Sequence, residues 1–252
     1  MTARRERSRG IYDRRMILQR AGRRIETDIY SEDGFNALAE LWTRSAWQKR
    51  ISYEPTWMGI PIIQLPEDIL MMHELIYKVK PYVIVETGTA HGGTAIFYAS
   101  MLELLGKGRV ISIDIEIRKN NRLAIEAHPM SKRITLIEGS STDEPVVARV
   151  REMIGLGDKV LVALDSNHSF DHVRLELEKY APLVTPGSYI VVFDGVMQIL
   201  ADAPSGKSEW ASNNPTLAAE DFLAIHPEFE IDPYYNRLTA TYCPGGFLKR
   251  KI

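Results

Sequence analysis

Four acidic residues close short apolar runs, and these side chains have the clearest capacity for chemistry. They are Glu86, Asp114, Asp165 and Asp194, and the apolar run before each one is typical of a buried parallel strand. The carboxyl ends of the strands in an open α/β sheet converge on one crevice. The sequence therefore predicts a ligand site assembled from several strand ends.

A glycine-rich loop follows the first of these acids and opens a helix. Glycines allow a sharp turn and a close approach of the backbone to a ligand. The loop has the pattern E-x-G-x-x-x-G-G, not the G-x-G-x-x-G pattern of dinucleotide sites. The leading acid suits a cation such as the amino group in the methionine portion of S-adenosylmethionine. The candidate cofactor-binding residues here are Glu86, Thr87, Gly88, Thr89, His91 and Gly93.

Two further positions complete the predicted cofactor site. Asp114 ends the second strand, where a carboxylate can accept both ribose hydroxyls. Its alternative role is to cap the next turn. Ser140 and Ser141 follow the third strand, where an adenine ring would lie, although both could equally be N-caps of the following helix.

The segment after Leu164 and the end of the fifth predicted strand carry the predicted catalytic groups. Asp165 and Asp194, with Asn167, form an oxygen-rich set suited to Mg²⁺, and Asp165 also borders the cofactor. A bound metal would lower the pKa of an acceptor hydroxyl, and His168 could take its proton, so Asp165 and His168 are the catalytic candidates. The alternatives are that Asp165 serves the cofactor or a turn without a metal, and that His168 only orders its loop.

Other metal and nucleophile chemistries fit poorly. The chain has one cysteine, and His168 and His172 lack the glutamate expected of a zincin helix. No G-x-S-x-G elbow for a serine hydrolase is present.

Alternating strand and helix patterns from Pro81 onward must position these residues. They predict a Rossmann-like α/β fold with a mostly parallel seven-stranded sheet, closed by an antiparallel hairpin of Arg237–Tyr242 and Phe247–Lys251. The predicted parallel strands are Tyr82–Glu86, Arg109–Asp114, Ile134–Glu138, Val160–Asp165 and Tyr189–Asp194. The predicted helices are Gly34–Arg50, Pro66–Lys78, Thr94–Leu105, Leu123–His128, Glu144–Ile154 and Asp171–Ala181, followed by a helix that Asn213–Pro215 caps and that runs to about Ile225.

We divide the chain into an N-terminal helical extension, residues 1–65, and a catalytic domain, residues 66–252. The arm Met1–Glu26 is rich in arginine, and we expect it to be solvated and partly helical, with a neighbouring subunit or an anionic substrate as alternative partners. The loop Val196–Asn214 is predicted to be a mobile lid over the acceptor, or else a surface excursion. Trp57, Tyr234 and Tyr235 could line the pocket, although core packing explains each equally well.

Composition limits the classes of function. The 252 residues are 45% hydrophobic and 25% charged, as in ordinary globular proteins. A net charge of −2 provides no field for nucleic acid or membrane binding, and no apolar run is long enough to span a membrane. The single Cys243 excludes an internal disulfide and favours a reducing, cytoplasmic setting.

Taken together, these segments resemble the cephalosporin hydroxylase-like family of the S-adenosylmethionine methyltransferase superfamily. The resemblance runs from Trp57 to the C-terminus. It is carried by Trp57–Pro61, Val85–Gly93, Gly139–Asp143, Leu164–His168, Tyr180–Val184, Val191–Asp194, Asn213–Pro215 and Gly245–Arg250.

The resemblance implies an S-adenosylmethionine-dependent O-methyltransferase, with Mg²⁺ in several members and sugars or natural products as acceptors. By position, Glu86, Gly88 and Asp114 would hold the cofactor, and Asp165 and Asp194 the metal. Some relatives have a Glu-Asp pair where this chain has Phe193-Asp194. The third protein ligand is therefore left open among Asn167, His168 and Asn214.

The sequence thus predicts methylation of a hydroxyl on a sugar or glycosylated natural product, in antibiotic or polysaccharide biosynthesis. A metal-free N-methyltransferase is the main alternative. An oxygenase, as the family label suggests, and a binding protein with a degenerate cofactor site are weaker ones. We expect a homo-oligomer that binds neither nucleic acid nor membrane.

Overall fold

Strands and helices alternate along most of the chain. The computed structural model describes residues 14–20 and 22–252. In chain order, the strands are β1 (Arg15–Arg20), β2 (Arg23–Asp28), β3 (Thr56–Trp57), β4 (Ile60–Pro61), β5 (Val83–Thr87), β6 (Arg109–Asp114), β7 (Ile134–Glu138), β8 (Val160–Leu164), β9 (Tyr189–Val192), β10 (Phe229–Ile231) and β11 (Phe247–Arg250). The α-helices are α1 (Glu32–Gln48), α2 (Pro66–Val79), α3 (Gly93–Leu104), α4 (Lys119–Glu126), α5 (Glu144–Glu152), α6 (Phe170–Tyr180), α7 (Met197–Leu200) and α8 (Pro215–Ile225).

A seven-stranded sheet forms the centre of the fold. Its order is β10-β11-β9-β8-β5-β6-β7, with β5 to β9 parallel and β11 antiparallel to both of its neighbours. This architecture confirms the predicted Rossmann-like methyltransferase fold. Strands β5 and β8 are buried at every position because helices cover both faces of the sheet.

Alternate residues of each strand enter different hydrophobic cores. Ile84 of β5 belongs to the core under α2 and α3, whereas Val83 and Val85 belong to the core under α5, α6 and α8. This alternation follows from the period-two geometry of a strand. The sheet is therefore held rigidly between two helical layers, and the residues at its strand ends are fixed in space.

The chain reverses its direction of travel across the sheet between β5 and β8. It runs from β5 outward to β6 and β7, then returns to place β8 on the other side of β5. Ligands of open α/β sheets bind at such a switch point, outside the carboxyl ends of the strands. The loops that follow β5 and β8 meet there.

The N-terminal arm differs from the prediction. Residues 15–20 and 23–28 are not helical, because they form the antiparallel pair β1 and β2, and Gly22 has φ 74°. Short alternating runs on either side of a glycine favour a hairpin over a helix. Residues 1–13 and 21, which include four of the arm's arginines, lie outside the described residues.

The C-terminal hairpin is present, but its first strand was assigned wrongly. Strand β11 pairs with β10, not with Arg237–Tyr242. That segment is drawn out of the sheet by Asp68, which accepts hydrogen bonds from the Thr241 hydroxyl and the Tyr242 backbone N–H. A buried long-range anchor of this kind overrides strand propensity.

Helix α1 lies outside the sheet and contacts the segment after β9. Its residues Ala46 and Trp47 join Val196, Leu200 and Tyr242 in a third, smaller apolar cluster. In the part of the chain that the structure describes, no helix has the length and apolar character needed to cross a membrane.

Candidate active site

The glycine loop turns sharply at the switch point. Gly88 has φ 91°, and a Cβ there would lie 1.9 Å from the backbone oxygen of Asp165. A Cβ at Gly93 would lie 2.2 Å from the oxygen of Pro61. These positions require glycine because the loop is pressed against the segment after β8 on one side and against β4 on the other. The Thr87 carbonyl completes the contact by accepting from the Asp165 N–H.

Glu86 lies beneath this loop. Its side chain is 1% exposed, accepts a hydrogen bond from the Ser112 hydroxyl at 2.5 Å, and borders neither large cavity of the site. Burial raises the pKa of Glu86 to about 7, although hydrogen bonds from Ser112 and Thr94 act in the opposite direction. Glu86 therefore supports the loop from below, and its direct contact with an amino group stays a prediction.

Asp114 borders a cavity of about 420 Å³ at the end of β6. One carboxylate oxygen accepts from the Ala90 N–H at 2.9 Å, and the other accepts from the Glu116 N–H at 3.2 Å. Asp114 thus caps the following turn and faces the cavity at once, so the two interpretations are compatible. A carboxylate oxygen can accept more than one hydrogen bond, which leaves capacity for ligand hydroxyls.

The opposite wall of this cavity contains Ser140 and Ser141. Neither caps a helix, because α5 begins at Glu144 with Asp143 as its N-cap. The Ser141 hydroxyl lies 3.2 Å from Nε2 of His172, and that nitrogen also lies 3.1 Å from the Ser166 hydroxyl. Both serines thus border the cavity of Asp114, neither is the N-cap of α5, and their contact with an adenine ring stays a prediction.

Thr89 and His91 lie on the other side of the loop, in a larger cavity. The Thr89 hydroxyl is 2.7 Å from the Ser112 hydroxyl, which ties this loop to the network around Glu86. Thr89, His91 and Gly93 all border a cavity of about 490 Å³. Gly88, Ala90, Asp165 and Ser166 border both cavities, so the two spaces meet at the loop and at Asp165.

Two carboxylates and one imidazole converge where the cavities meet. Ligand atoms of Asp165, His168 and Asp194 all lie within 4.8 Å of one another, and His168 Nε2 is 3.2 Å from an Asp194 oxygen. Burial and the neighbouring charge of Asp194 raise the pKa of Asp165 well above its ordinary value. Burial also raises the pKa of Asp194, and His168 opposes that shift.

Gln64 positions the Asp165 carboxylate. Its amide Nε2 donates a 2.9 Å hydrogen bond to Asp165 Oδ2, and its own Oε1 is buried without a protein partner among the described residues. A neutral donor is well suited to orient a carboxylate without neutralising it. Gln64 could not be recognised from the sequence, because it lies 101 positions from Asp165 and belongs to no motif.

The other metal-ligand candidates are occupied elsewhere. Asn167 Oδ1 accepts a hydrogen bond from the Ser169 N–H, and Asn167 borders the cavity of Asp114 but not the larger cavity. Asn214 caps α8 through Leu217 N–H and donates to the Trp210 carbonyl. His168 has a ligand atom within 4.8 Å of those of the two carboxylates. Asn167 as a metal ligand stays a prediction.

Phe193 points away from the cluster. It is 1% exposed and packs in the core beneath α2 and α3. Asp194 follows it in the left-handed backbone region, at φ 56°, where a residue with a Cβ is strained. This turn directs the Asp194 carboxylate toward His168, and nothing at position 193 supplies a further ligand.

The residues present fit a hard divalent cation. Burial is the main cause of the raised pKa of Asp165, and repulsion by the facing Asp194 carboxylate adds to it; a cation between the two carboxylates would remove that repulsion. Oxygen donors with one imidazole at the junction of two cavities also leave room for water and an acceptor. Asp165 and Asp194 would hold such an ion.

Helix α1 and the segment 196–214 cover the larger cavity. Arg44 donates to the Ile199 carbonyl and to Asp202, and Gln48 accepts from the Ser205 N–H at 3.0 Å. The rings of Trp47 and Trp210 meet edge to face, with centroids 5.9 Å apart. The segment expected to be a mobile lid is therefore bonded to α1, and Trp47, Gln48, Arg50, Ser52 and Tyr53 of the N-terminal extension border the cavity.

The other predicted pocket aromatics belong to the core or the surface. Trp57 donates to the Ser100 hydroxyl and packs against Phe97, and Tyr235 is 1% exposed. Tyr234 stacks under Arg237 on the surface. None of the three borders the larger cavity. Core packing and surface stacking, not ligand contact, explain their positions.

Comparison with known proteins yields one consistent family. Residues 49–251 match the family model described as Rhamnosyl O-methyltransferase/CmcI. The chain is 30% identical over 223 residues to a rhamnosyl O-methyltransferase of Mycobacterium leprae, a match that covers 86% of this chain and 92% of that protein. It is 27% identical over 225 residues to the one of Mycobacterium tuberculosis, with coverage of 85% and 86%.

Solved structures agree on the fold. A CmcI chain with Mg and S-adenosylmethionine has a TM-score of 0.57 at 17% identity, covering 79% of this chain and 78% of that one. An apo CmcI chain has a TM-score of 0.56 at 19% identity, covering 79% and 77%.

Proposed function

The chain belongs to the rhamnosyl O-methyltransferase/CmcI family and is an S-adenosylmethionine-dependent O-methyltransferase, and we propose that it methylates a hydroxyl of a sugar or glycosylated natural product with the help of Mg²⁺. The observation that carries the proposal is the position of Asp165, His168 and Asp194 at the junction of two cavities. The smaller cavity, with Asp114 and the two serines, suits the adenosine portion of the donor. The larger one suits the acceptor.

At the methyl carbon, the proposed reaction forms a carbon–oxygen bond and breaks a carbon–sulfur bond. S-adenosylmethionine supplies a methyl group on a sulfonium, and bound Mg²⁺ would make the acceptor hydroxyl more acidic. The acceptor oxygen attacks the methyl carbon, the carbon–sulfur bond breaks, and the products are a methyl ether, S-adenosylhomocysteine and a proton. The chain must hold the two substrates in line and remove that proton.

His168 is the proposed proton acceptor. A neutral His168 that donates its Nε2–H to Asp194 at 3.2 Å presents Nδ1 as the free basic nitrogen. Asp194 then orients the ring and stabilises its charged form, as carboxylates do in other His-Asp pairs. Gln64 keeps the Asp165 carboxylate in place.

Two alternatives are weakened. The family comparison favours oxygen over nitrogen as the methylated atom. An oxygenase with a facial iron site uses two histidines and one carboxylate, whereas this cluster has one histidine and two carboxylates. A cytoplasmic location, a role in glycan or antibiotic biosynthesis, and assembly into a homo-oligomer remain parts of the proposal.

The test measures methyl transfer to a panel of rhamnosides and other glycosides, with Mg²⁺ and with EDTA. We expect EDTA to abolish turnover and His168→Gln to lower kcat by about 10²- to 10⁴-fold. Binding of S-adenosylhomocysteine to His168→Gln, measured by calorimetry, should stay at the wild-type level. The matched control is Asp171→Asn, an exposed acid of the same segment that does not border the larger cavity. Full turnover in EDTA would contradict the requirement for Mg²⁺. An unchanged kcat in His168→Gln would contradict the role of His168 as the proton acceptor.

A further inference from the structure

The larger cavity carries a cation that the proposed methyl transfer does not use. Arg50 borders this cavity together with Trp47, Tyr53, the glycine loop, Asp165 and Asp194. Among its lining residues in the described part of the chain, Arg50 is the only lysine or arginine. A guanidinium keeps its charge at any physiological pH.

Arg50 has no side-chain partner among the described residues, unlike several other arginines. Arg44, six residues earlier, is bonded to Asp202 and the Ile199 carbonyl, and elsewhere in the fold Arg133 and Arg237 pair with Glu103 and Glu74. No ion pair or hydrogen bond of the Arg50 side chain occurs within residues 14–20 and 22–252. An unpaired guanidinium at a cavity wall is available to a ligand.

The backbone holds Arg50 in an unusual conformation. Its φ of 54° and ψ of 37° are left-handed, which is unfavourable for a long side chain, and they mark the turn from α1 into the short 3-10 helix that starts at Ile51. Left-handed residues with a Cβ concentrate at binding sites, where the surroundings enforce them. Here the turn brings Arg50, Ser52 and Tyr53 to the cavity together.

We propose that Arg50 binds an anionic group, a carboxylate or phosphate, on the acceptor. The planar guanidinium matches both groups through paired hydrogen bonds. The rings of Trp47 and Tyr53 border the same space and suit the faces of a sugar or another ring. Arg50 follows the end of α1 by two residues, and Gln48, the last residue of α1, accepts a hydrogen bond from the Ser205 N–H of the segment 196–214. This position beside the two covering segments favours the acceptor over the donor as the ligand of Arg50.

This inference rests on the proposed function and defines its substrate class further. The acceptor would be a uronic acid, a sugar phosphate or a comparable acidic conjugate, with the hydroxyl to be methylated near the Asp165–His168–Asp194 cluster. As the only lysine or arginine among the described residues that line the cavity, Arg50 would also fix which end of the acceptor enters. It is a specificity residue and takes no part in proton transfer.

The experiment compares matched ligands by calorimetry, using protein saturated with S-adenosylhomocysteine and Mg²⁺. One pair is methyl β-D-glucoside and methyl β-D-glucuronide, and the other is glucose and glucose 6-phosphate. We expect a charged member to bind about tenfold or more tightly than its neutral partner. Arg50→Gln should remove this preference, and Arg50→Lys should keep part of it. The control Lys49→Gln, on the exposed neighbour outside the cavity, should leave it unchanged.

Four outcomes would overturn the proposal. Equal affinities within both pairs, or no binding of either charged member, would show that the cavity does not select anions. A preference that survives in Arg50→Gln would assign it to another residue. A loss of affinity for S-adenosylhomocysteine itself in Arg50→Gln, without a change in the preference, would mean that Arg50 holds the methionine carboxylate. Failure of the wild-type protein to bind S-adenosylhomocysteine would instead contradict the proposed function.

Discussion

Asp194 combines a strained backbone with a charge that its surroundings disfavour. It has φ 56° and faces the Asp165 carboxylate inside one cluster. Asparagine tolerates the left-handed region better than most other residues with a Cβ. An uncharged asparagine at position 194 would also remove the repulsion with the Asp165 carboxylate. Replacement of this residue therefore separates the requirements of folding from those of catalysis.

We predict that Asp194→Asn keeps its stability and loses its activity. In EDTA, its free energy of unfolding from urea titration should be within about 0.5 kcal/mol of wild type, or higher, because a repulsive pair is relieved. Mg²⁺-dependent turnover should be lost. Asp194→Ala, which lacks the amide, should lose about 1 kcal/mol from the left-handed backbone alone. Equal destabilisation of the two variants would show that the backbone conformation costs little here.

Gly88 offers a test of the close contact between the loop and the segment after β8. A Cβ at Gly88 would approach the Asp165 oxygen at 1.9 Å, whereas Gly106, also at positive φ, has nothing within 4 Å. We expect Gly88→Ala to lower the free energy of unfolding, measured with urea, by at least about 2 kcal/mol more than Gly106→Ala does. Only Gly88→Ala adds a steric clash to the backbone strain. Calorimetry should also detect weaker binding of S-adenosylhomocysteine to Gly88→Ala. Similar costs at the two sites would mean that the loop can move away.

The residues of the site differ in how far the sequence could predict them. The four strand-end acids were predictable because their position follows from the alternation of apolar runs, and the structure places Asp114, Asp165 and Asp194 along the cleft. Gln64 and Arg50 were not predictable, because their contacts depend on how α1 and the β4–α2 loop lie against the sheet. No local pattern encodes such long-range docking.

At the scale of elements, buried strands were the easiest to predict. Strands β6 and β7 have the predicted bounds, since each is a short apolar run between polar turns. The segment Arg237–Tyr242 has an equally good strand composition, yet it runs outside the sheet, because Asp68 of α2 binds it. A contact between residues 173 positions apart decided its conformation.

His226 lies between helices α6 and α8 and is close to two glutamates. His226, at the end of α8, lies 3.3 Å from Glu178 of α6 and 3.0 Å from Glu228, and stacks on Phe222. Burial disfavours its charge, but the two glutamates outweigh burial and raise the pKa of His226 above 6.5. The charged form is thus stabilised by folding.

The stability that His226 contributes depends on pH. Because the folded-state pKa is raised, the stabilisation is fully present below the unfolded-state pKa of 6.5 and is lost as pH rises through the folded-state value. We expect His226→Gln to lower the urea midpoint at about pH 6 and to have a smaller effect at about pH 9. The exposed His73→Gln is the control and should show no such trend. A pH-independent effect of His226→Gln would assign its role to stacking on Phe222.

At the scale of the whole molecule, the proposed division at residue 65 is in question. The larger cavity is bordered by Trp47, Gln48, Arg50, Ser52 and Tyr53 as well as by the glycine loop, and Trp47 and Leu65 share a cluster with Val196 and Tyr242. The N-terminal extension therefore contributes a wall of the site. A unit that completes a binding cavity is expected to unfold together with the rest.

Ligand binding tests this cooperativity. A ligand of the native state at 100 times its Kd adds about 2.7 kcal/mol to the free energy of unfolding. For a chain of this size, that corresponds to a rise in Tm of roughly 5–10 °C. We expect S-adenosylhomocysteine to raise the Tm of a single calorimetric transition by this amount in the wild-type protein. The rise should be smaller in Asp114→Asn, and the exposed control Asp221→Asn should respond as wild type does. If residues 1–65 folded separately, the melt would have two steps and the ligand would move only one. A single shifted transition would mean that the donor site, the cluster at Asp165 and the covering helix α1 form one cooperative structure.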